Sequence, residues 1–217
     1  MLEGSDTYDM LGSGPILTKE DLIAFERDIV AHFEMGDIKA PVHLAGGNED
    51  ALIEIFGHIR PQDWVLCSWR SHYHCLLKGV PAAELKAAIL RGRSIALCFP
   101  DQRIVSSAIV GGIAPMAVGI ATAIKINGDN ERVWCFLGDM TARTGIAHEA
   151  KQYADGHGLP ITWVVEDNGM SVCTDTSESW GMEYRGQMKE VRYHLKEVRY
   201  HHKLAWPHVG TGKWVAF

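Results

Sequence analysis

Two short runs constrain the fold of this chain more than anything else in it. Arg132-Val-Trp-Cys-Phe-Leu137 and Ile161-Thr-Trp-Val-Val165 are apolar at nearly every position, so each strand must be buried on both faces. Between them, Ile146 to Gly156 has helical spacing. Strand, helix and strand in this order predict a parallel sheet with a right-handed crossover. The fold class expected is therefore α/β, a three-layer arrangement of a parallel sheet flanked by helices.

Open α/β sheets bind ligands at the carboxyl ends of their strands. The first run ends at Gly138-Asp139 and the second at Glu166-Asp167-Asn168, so Asp139 and Asn168, 29 residues apart, emerge on one edge. A carboxylate and an amide oxygen, joined by a backbone carbonyl, are hard donors that suit magnesium when phosphate oxygens and water complete its octahedron. The turn Gly138-Asp139-Met140-Thr141 leads toward a helix, and such turns present N–H groups to phosphate. The pair reads as a diphosphate and magnesium clamp, with ordinary helix capping as the alternative.

The remaining segments fit the same architecture. Thr18-Lys-Glu-Asp opens a helix in which Leu22, Ile23, Phe25, Ile29, Val30 and Phe33 recur at helical spacing. Gly46-Gly47-Asn48-Glu49-Asp50 turns into a second helix with an acidic first turn. Asp63 to Cys67 is a buried strand that delivers Ser68-Trp69-Arg70-Ser71-His72 to its carboxyl end, and Pro81 to Leu90 is another helix. Gly111 and Gly112 precede a small-residue helix, Met116 to Ile126, which a backbone or a cofactor could approach closely. Lys189-Glu-Val-Arg-Tyr-His194 recurs as Lys196 to His201, either a helical heptad or duplicated local sequence. A strand is expected from Val198, and His194, His201 and His202 are expected on a solvated face.

Composition narrows the function classes. With 217 residues, 47% apolar and net charge −6, the chain can support a core without staples and lacks the basic face that nucleic acid requires. The five cysteines are odd in number and mostly set in apolar runs, so core thiols are expected, Cys67, Cys75 and Cys173 among them. No apolar run approaches a membrane span and the first residues are acidic, so neither membrane nor signal peptide is expected, and the compartment expected is the cytoplasm.

The spacing from Gly138-Asp139 to Asp167-Asn168 resembles the thiamine diphosphate motif. Four ordered stretches narrow the resemblance: Gly47-Asn-Glu, Trp69-Arg70-Ser-His72, Ala108-Ile-Val-Gly-Gly-Ile-Ala-Pro115, and Val133 to Met140 continuing through Gly145-Ile-Ala-His-Glu-Ala150 to Gly158-Leu-Pro-Ile-Thr-Trp-Val-Val-Glu-Asp-Asn168. Together, over about residues 20–176, they are similar to the alpha subunit of the decarboxylating component of 2-oxoacid dehydrogenases, shortened at its C-terminus.

The resemblance implies a thiamine diphosphate-binding fold and thiamine diphosphate with magnesium as cofactors. Asp139, Asn168 and the Met170 carbonyl would bind the metal, and Gly138, Met140 and Thr141 would lie along the diphosphate. Trp69 and Arg70 would touch the diphosphate end, Ala108 and Val110 would offer backbone contacts to the aminopyrimidine, and His72 and His208 would exchange protons near the thiazolium. Met140 and Asp167 depart from the family motif, which has glycine and asparagine there. The resemblance divides the chain into an N-terminal arm (1–17), a cofactor domain (18–176) and a tail (177–217) that closes the sheet or meets a partner. It also implies an alpha2beta2 assembly, in which a beta-type subunit supplies the glutamate that activates the pyrimidine. The implied reaction is decarboxylation of a 2-oxoacid, or cleavage of a related small carbonyl substrate. The alternatives are a scaffold or regulatory subunit that keeps the fold, or half of a carboligase.

Overall fold

The two doubly apolar runs lie at the centre of the sheet, as burial on both faces requires. The computed structural model describes residues 17–181, 192–194 and 197–215, so the expected arm falls outside it apart from Leu17. Helices α1 (Lys19–Glu34) and α2 (Glu49–Phe56) precede strand β1 (Trp64–Cys67), followed by α3 (His72–Leu77) and α4 (Ala82–Ala88). Strands β2 (Cys98–Phe99) and β3 (Ile104–Ser106) come next, then α5 (Ile113–Asn127), β4 (Val133–Gly138), α6 (Gly145–Gly156) and β5 (Ile161–Asp167). A small hairpin, β6 (Met170–Ser171) and β7 (Thr174–Asp175), leads to α7 (Thr176–Trp180), and the chain closes with β8 (Arg192–His194) and β9 (Glu197–His201).

Among the described residues the main sheet runs β2-β3-β1-β4-β5-β9-β8. The five inner strands are parallel, and β2 and β8 pair antiparallel at the edges. Alternate residues feed two cores, as a strand period of two demands. Val65, Phe136 and Val164 face α1 to α4, while Leu66, Cys135, Leu137, Trp163 and Val165 face α5 and α6. This is the expected three-layer α/β fold. Ala114, Ala117 and Ala121 line the buried side of α5, and their small side chains let that helix sit close on the sheet.

Local chemistry sets the element ends that matter to the site. Thr18 caps α1 through a reciprocal pair with Asp21, its side chain accepting from the Asp21 N–H and Asp21 accepting from the Thr18 N–H. Gly138 stands opposite Glu166 in the β4–β5 ladder, so Asp139 and Asn168 leave adjacent strands at the same edge.

The structure corrects several expectations. The duplicated hexapeptides are not a helical heptad: Arg192–His194 and Glu197–His201 are antiparallel partners, with Tyr193 opposite Val198, while residues 189–191, 195 and 196 lie outside the described range. Their β-branched and aromatic residues suit a ladder better than a helix. His72, read as delivered to the end of β1, opens α3. Cys173 is no core thiol; it and Cys98 are exposed, while Cys67, Cys75 and Cys135 are buried. Gly111 serves close packing: its φ is 75°, and a Cβ there would lie 2.5 Å from the Ile146 side chain on α6.

Candidate functional site

The carboxyl ends of β1, β4 and β5 open on a cavity of about 100 Å³. Asp139 stands in its wall with 2% of its surface exposed, its Oδ2 accepting from the Thr176 hydroxyl at 2.7 Å. Burial, reinforced by the charge of Asp167, pushes the Asp139 carboxyl above its usual value against the Thr176 hydrogen bond. After β5 the chain doubles back through Gly169 at φ 68°; Asn168 Oδ1 accepts from the Met170 N–H at 2.9 Å, and Asp167 Oδ1 accepts from the Gly169 N–H at 3.1 Å. Met140, where the motif has glycine, adopts φ −70° and needs no glycine; its sulfur accepts the Trp180 indole N–H at 2.7 Å.

The loop after β1 builds the opposite wall. Arg70 Nη2 donates to the His208 carbonyl at 3.0 Å and lies 3.2 Å from His208 Nδ1. Trp69 packs against the rings of His43 and His208, with centroids at 5.8 and 6.2 Å, and those two rings touch edge to face at 4.7 Å. Burial lowers the His43 pKa to about 4 and, with the Arg70 charge, also lowers that of His208, so both rings are neutral at pH 7. Trp69 Nε1 and Arg70 Nε are buried donors that meet no protein acceptor. Both residues line the cavity, which therefore offers two N–H groups to an anion.

Glu166 forms part of the floor. Its Oε1 accepts from the Tyr200 hydroxyl at 2.5 Å and lies 3.2 Å from His74 Nε2. Burial alone pushes the Glu166 carboxyl up; His74, Tyr200 and His202 outweigh it and hold the group below the usual carboxylate range.

Of the residues singled out in the sequence, Trp69, Arg70, Val110, Gly138, Asp139, Met140, Thr141, Asn168, Met170 and His208 line this one cavity. Two others do not. Ala108 is exposed outside its wall. His72 is sealed in the layer between α1 and α3, with Nδ1 3.0 Å from Glu26 Oε1 and Nε2 2.9 Å from Ser94 Oγ. That Ser-His-Glu geometry has the order of a hydrolytic triad, but all three side chains are buried and it serves packing. His202, expected on a solvated face, is also buried and belongs to the wall.

Sequence reasoning missed Glu166 and His202, and touched Asn48 only as part of a motif. The one available signal for Glu166 was a charged residue at the end of a strand whose other positions are apolar.

Comparison with known proteins adds a family. Residues 19–191 match the model of the dehydrogenase E1 component. The chain is 31% identical over 167 residues to the alpha subunit of acetoin:2,6-dichlorophenolindophenol oxidoreductase of Cupriavidus necator, covering 72% of this chain and 50% of that one. It is 30% identical over 165 residues to the alpha subunit of the pyruvate dehydrogenase E1 component of Rickettsia typhi, covering 71% and 51%. The chain thus spans about half the length of the curated relatives it matches.

Proposed function

The chain belongs to the dehydrogenase E1 component family, and on that premise we propose that it is the alpha-type part of a thiamine diphosphate-dependent enzyme that decarboxylates a 2-oxoacid or cleaves a related carbonyl compound. The observation that carries this reading is that one cavity gathers Asp139, Asn168 and Met170 with Trp69 and Arg70. The wall residues fit the group. One carboxylate, one amide oxygen and one carbonyl are a magnesium donor set. The unmet Trp69 and Arg70 N–H groups answer phosphate oxygens.

Asp139, Asn168 and the Met170 carbonyl would hold magnesium, and Gly138, Met140 and Thr141 would border the diphosphate. Thiamine diphosphate, when bound, would supply a nucleophilic thiazolium carbon and a cationic ring that accepts the electron pair left when carbon dioxide departs. Arg70, aimed by the His208 carbonyl, neutralises phosphate charge, and Val110 borders the same cavity. His208, its pKa lowered by burial and the Arg70 charge, can take a proton at a ring nitrogen and hand the same proton back.

A beta-type subunit would supply the glutamate that activates the pyrimidine, in an alpha2beta2 assembly. The free thiols of Cys67, Cys75 and Cys135 fit a reducing, cytoplasmic setting, and no helix among the described residues is long and apolar enough to cross a membrane.

The test is calorimetric titration of thiamine diphosphate with magnesium into the chain, alone and with its beta-type partner, with Asp139→Ala as control. Binding with the partner that disappears in Asp139→Ala is expected. Absence of binding in both settings would overturn the catalytic reading in favour of a scaffold subunit.

A further inference from the structure

One buried residue ties together the two segments that carry the proposed metal ligands. Asp139 follows β4, whereas Asn168 follows β5 and Met170 opens the hairpin; the β4–β5 ladder ends with Gly138 opposite Glu166, so it stops short of all three. Thr176, the first residue of α7, spans the gap. Its hydroxyl donates to Asp139 Oδ2 at 2.7 Å, and its backbone N–H donates at 2.9 Å to the carbonyl of Gly169, the residue between Asn168 and Met170. Thr176 is 2% exposed, so water does not compete for either bond. The far end of α7 is held over the same strand end, with the Trp180 indole N–H on the Met140 sulfur. Helix capping does not account for the Thr176 hydroxyl: the N-cap of α7 is Asp175, whose Oδ1 accepts from the Ser177 N–H at 2.8 Å.

A carboxylate that ligates a metal through one oxygen leaves the other to be satisfied, and a donor on that second oxygen fixes the plane of the group. The Thr176 hydroxyl is the one side-chain donor that Asp139 meets among the described residues. We propose that Thr176 is a positioning residue for the metal: by holding Asp139 Oδ2 it presents Oδ1 as the ligating oxygen, and by holding Gly169 it keeps that oxygen in place beside Asn168 and the Met170 carbonyl. The inference rests on the cofactor reading above and deepens it, since it names what assembles the donor set. Metal affinity then depends on a hydroxyl that touches neither metal nor cofactor. By the same coupling, metal binding stabilises the strap from Met170 to Trp180.

The probe is divalent manganese, which accepts the same oxygen ligands as magnesium. It is titrated, with thiamine diphosphate at saturation, into the assembly with the beta-type partner, and free and bound ion are read by EPR. Thr176→Val keeps the shape and the backbone N–H and removes the hydroxyl; it is expected to weaken manganese binding by about tenfold or more, while Thr176→Ser stays within about threefold of wild type. Ser177→Ala controls for a merely structural role, because it removes the hydroxyl bond from Ser177 to Asp175 in the first turn of α7 and leaves Asp139 untouched. Its manganese affinity is expected within about twofold of wild type. Hydrogen exchange gives a second readout: the amides of residues 170–180 slow when metal and cofactor bind the wild type, and slow less in Thr176→Val.

Should Thr176→Val fail to fold, Thr176→Ala, which removes the same hydroxyl and adds no bulk, carries the test. Wild-type manganese affinity in Thr176→Val, no recovery in Thr176→Ser, an equal loss in Ser177→Ala, or exchange that slows equally with and without the hydroxyl overturns this inference alone. Failure of the wild type to bind manganese with thiamine diphosphate overturns the cofactor reading and this inference with it.

Discussion

Arg70 and His72 stand two residues apart and live in different environments. Arg70 lines the cavity, whereas His72 is sealed between Glu26 and Ser94. The adjacency that made both look like site residues in one dimension is undone when α3 begins at His72 and turns its ring into the layer beneath α1. Two expectations separate their roles. Arg70→Ala should weaken cofactor affinity by roughly 10- to 100-fold, the loss of a charge-assisted bond, with little change in urea stability. His72→Asn should reverse that order, lowering the urea midpoint while the folded fraction keeps its cofactor affinity by calorimetry. A cofactor affinity in His72→Asn that fell as far as in Arg70→Ala would place His72 back at the site. Glu26, 1% exposed, also accepts the Ala45 N–H at 2.9 Å, so Glu26→Ala, which leaves that N–H and the His72 ring without their acceptor, should cost about 1–3 kcal/mol of stability in the same melts. Neither the burial of Glu26 nor the partners of Glu166 were legible, because a carboxylate on a helix stripe or at a strand end takes its meaning from residues far along the chain.

Elements were legible wherever their period was long enough to count. β4, α6, β5 and α1 follow from apolar spacing with boundaries moved by a residue or two, because burial alone dictates them. The two-residue strands β2, β6 and β7 and the five-residue α7 left no periodic trace, and the duplicated hexapeptides carried two readings at once. The β6–β7 hairpin is also where the backbone is strained: Val172 sits at φ 58° and lines the cavity. A β-branched residue in that region costs about 1–2 kcal/mol. Glycine removes the strain and adds back part of it as chain entropy, about 0.5–1 kcal/mol. Val172→Gly should therefore leave stability unchanged or raise it by up to about 1 kcal/mol, and a Tm clearly below wild type would show that the valine side chain packs better than its backbone suggests. Gly111→Ala should do the opposite. It combines a left-handed φ with a Cβ against Ile146, and should loosen the α5–α6 contact and lower the Tm.

At the scale of the whole molecule the cavity is built from segments near residues 45, 69, 140, 168 and 205, and the order of motifs along the sequence pointed to most of them. The exception is the return of the chain after β9, whose sequence is weakly patterned. It packs on the Gly46-Gly47 turn, where a Cβ on Gly47 would lie 2.0 Å from the Lys203 carbonyl oxygen. It then ties back to the loop after α1, with Gly210 N–H donating to Val42 O at 2.8 Å and His43 Nδ1 2.5 Å from His208 O. This closure has a pH signature. His43 is faced by Arg70, His208 and His72, and burial first, then these groups, hold its folded pKa at about 4 against 6.5. Between those values the unfolded chain binds a proton that the folded one does not, so stability is complete above pH 6.5 and declines as pH falls toward 4. The lowered pKa values of His202 and His208 act with the same sign. The His43 gap would be worth about 3 kcal/mol in a sealed site, and its partial exposure brings that to about 1–2 kcal/mol. Urea melts from pH 4 to 7.5 should show this decline, and His43→Gln, which keeps a side-chain donor for the His208 carbonyl, should flatten it. An equally steep decline in His43→Gln would assign the acid sensitivity to the carboxylates instead of to the closure of the chain's last segment over the cavity.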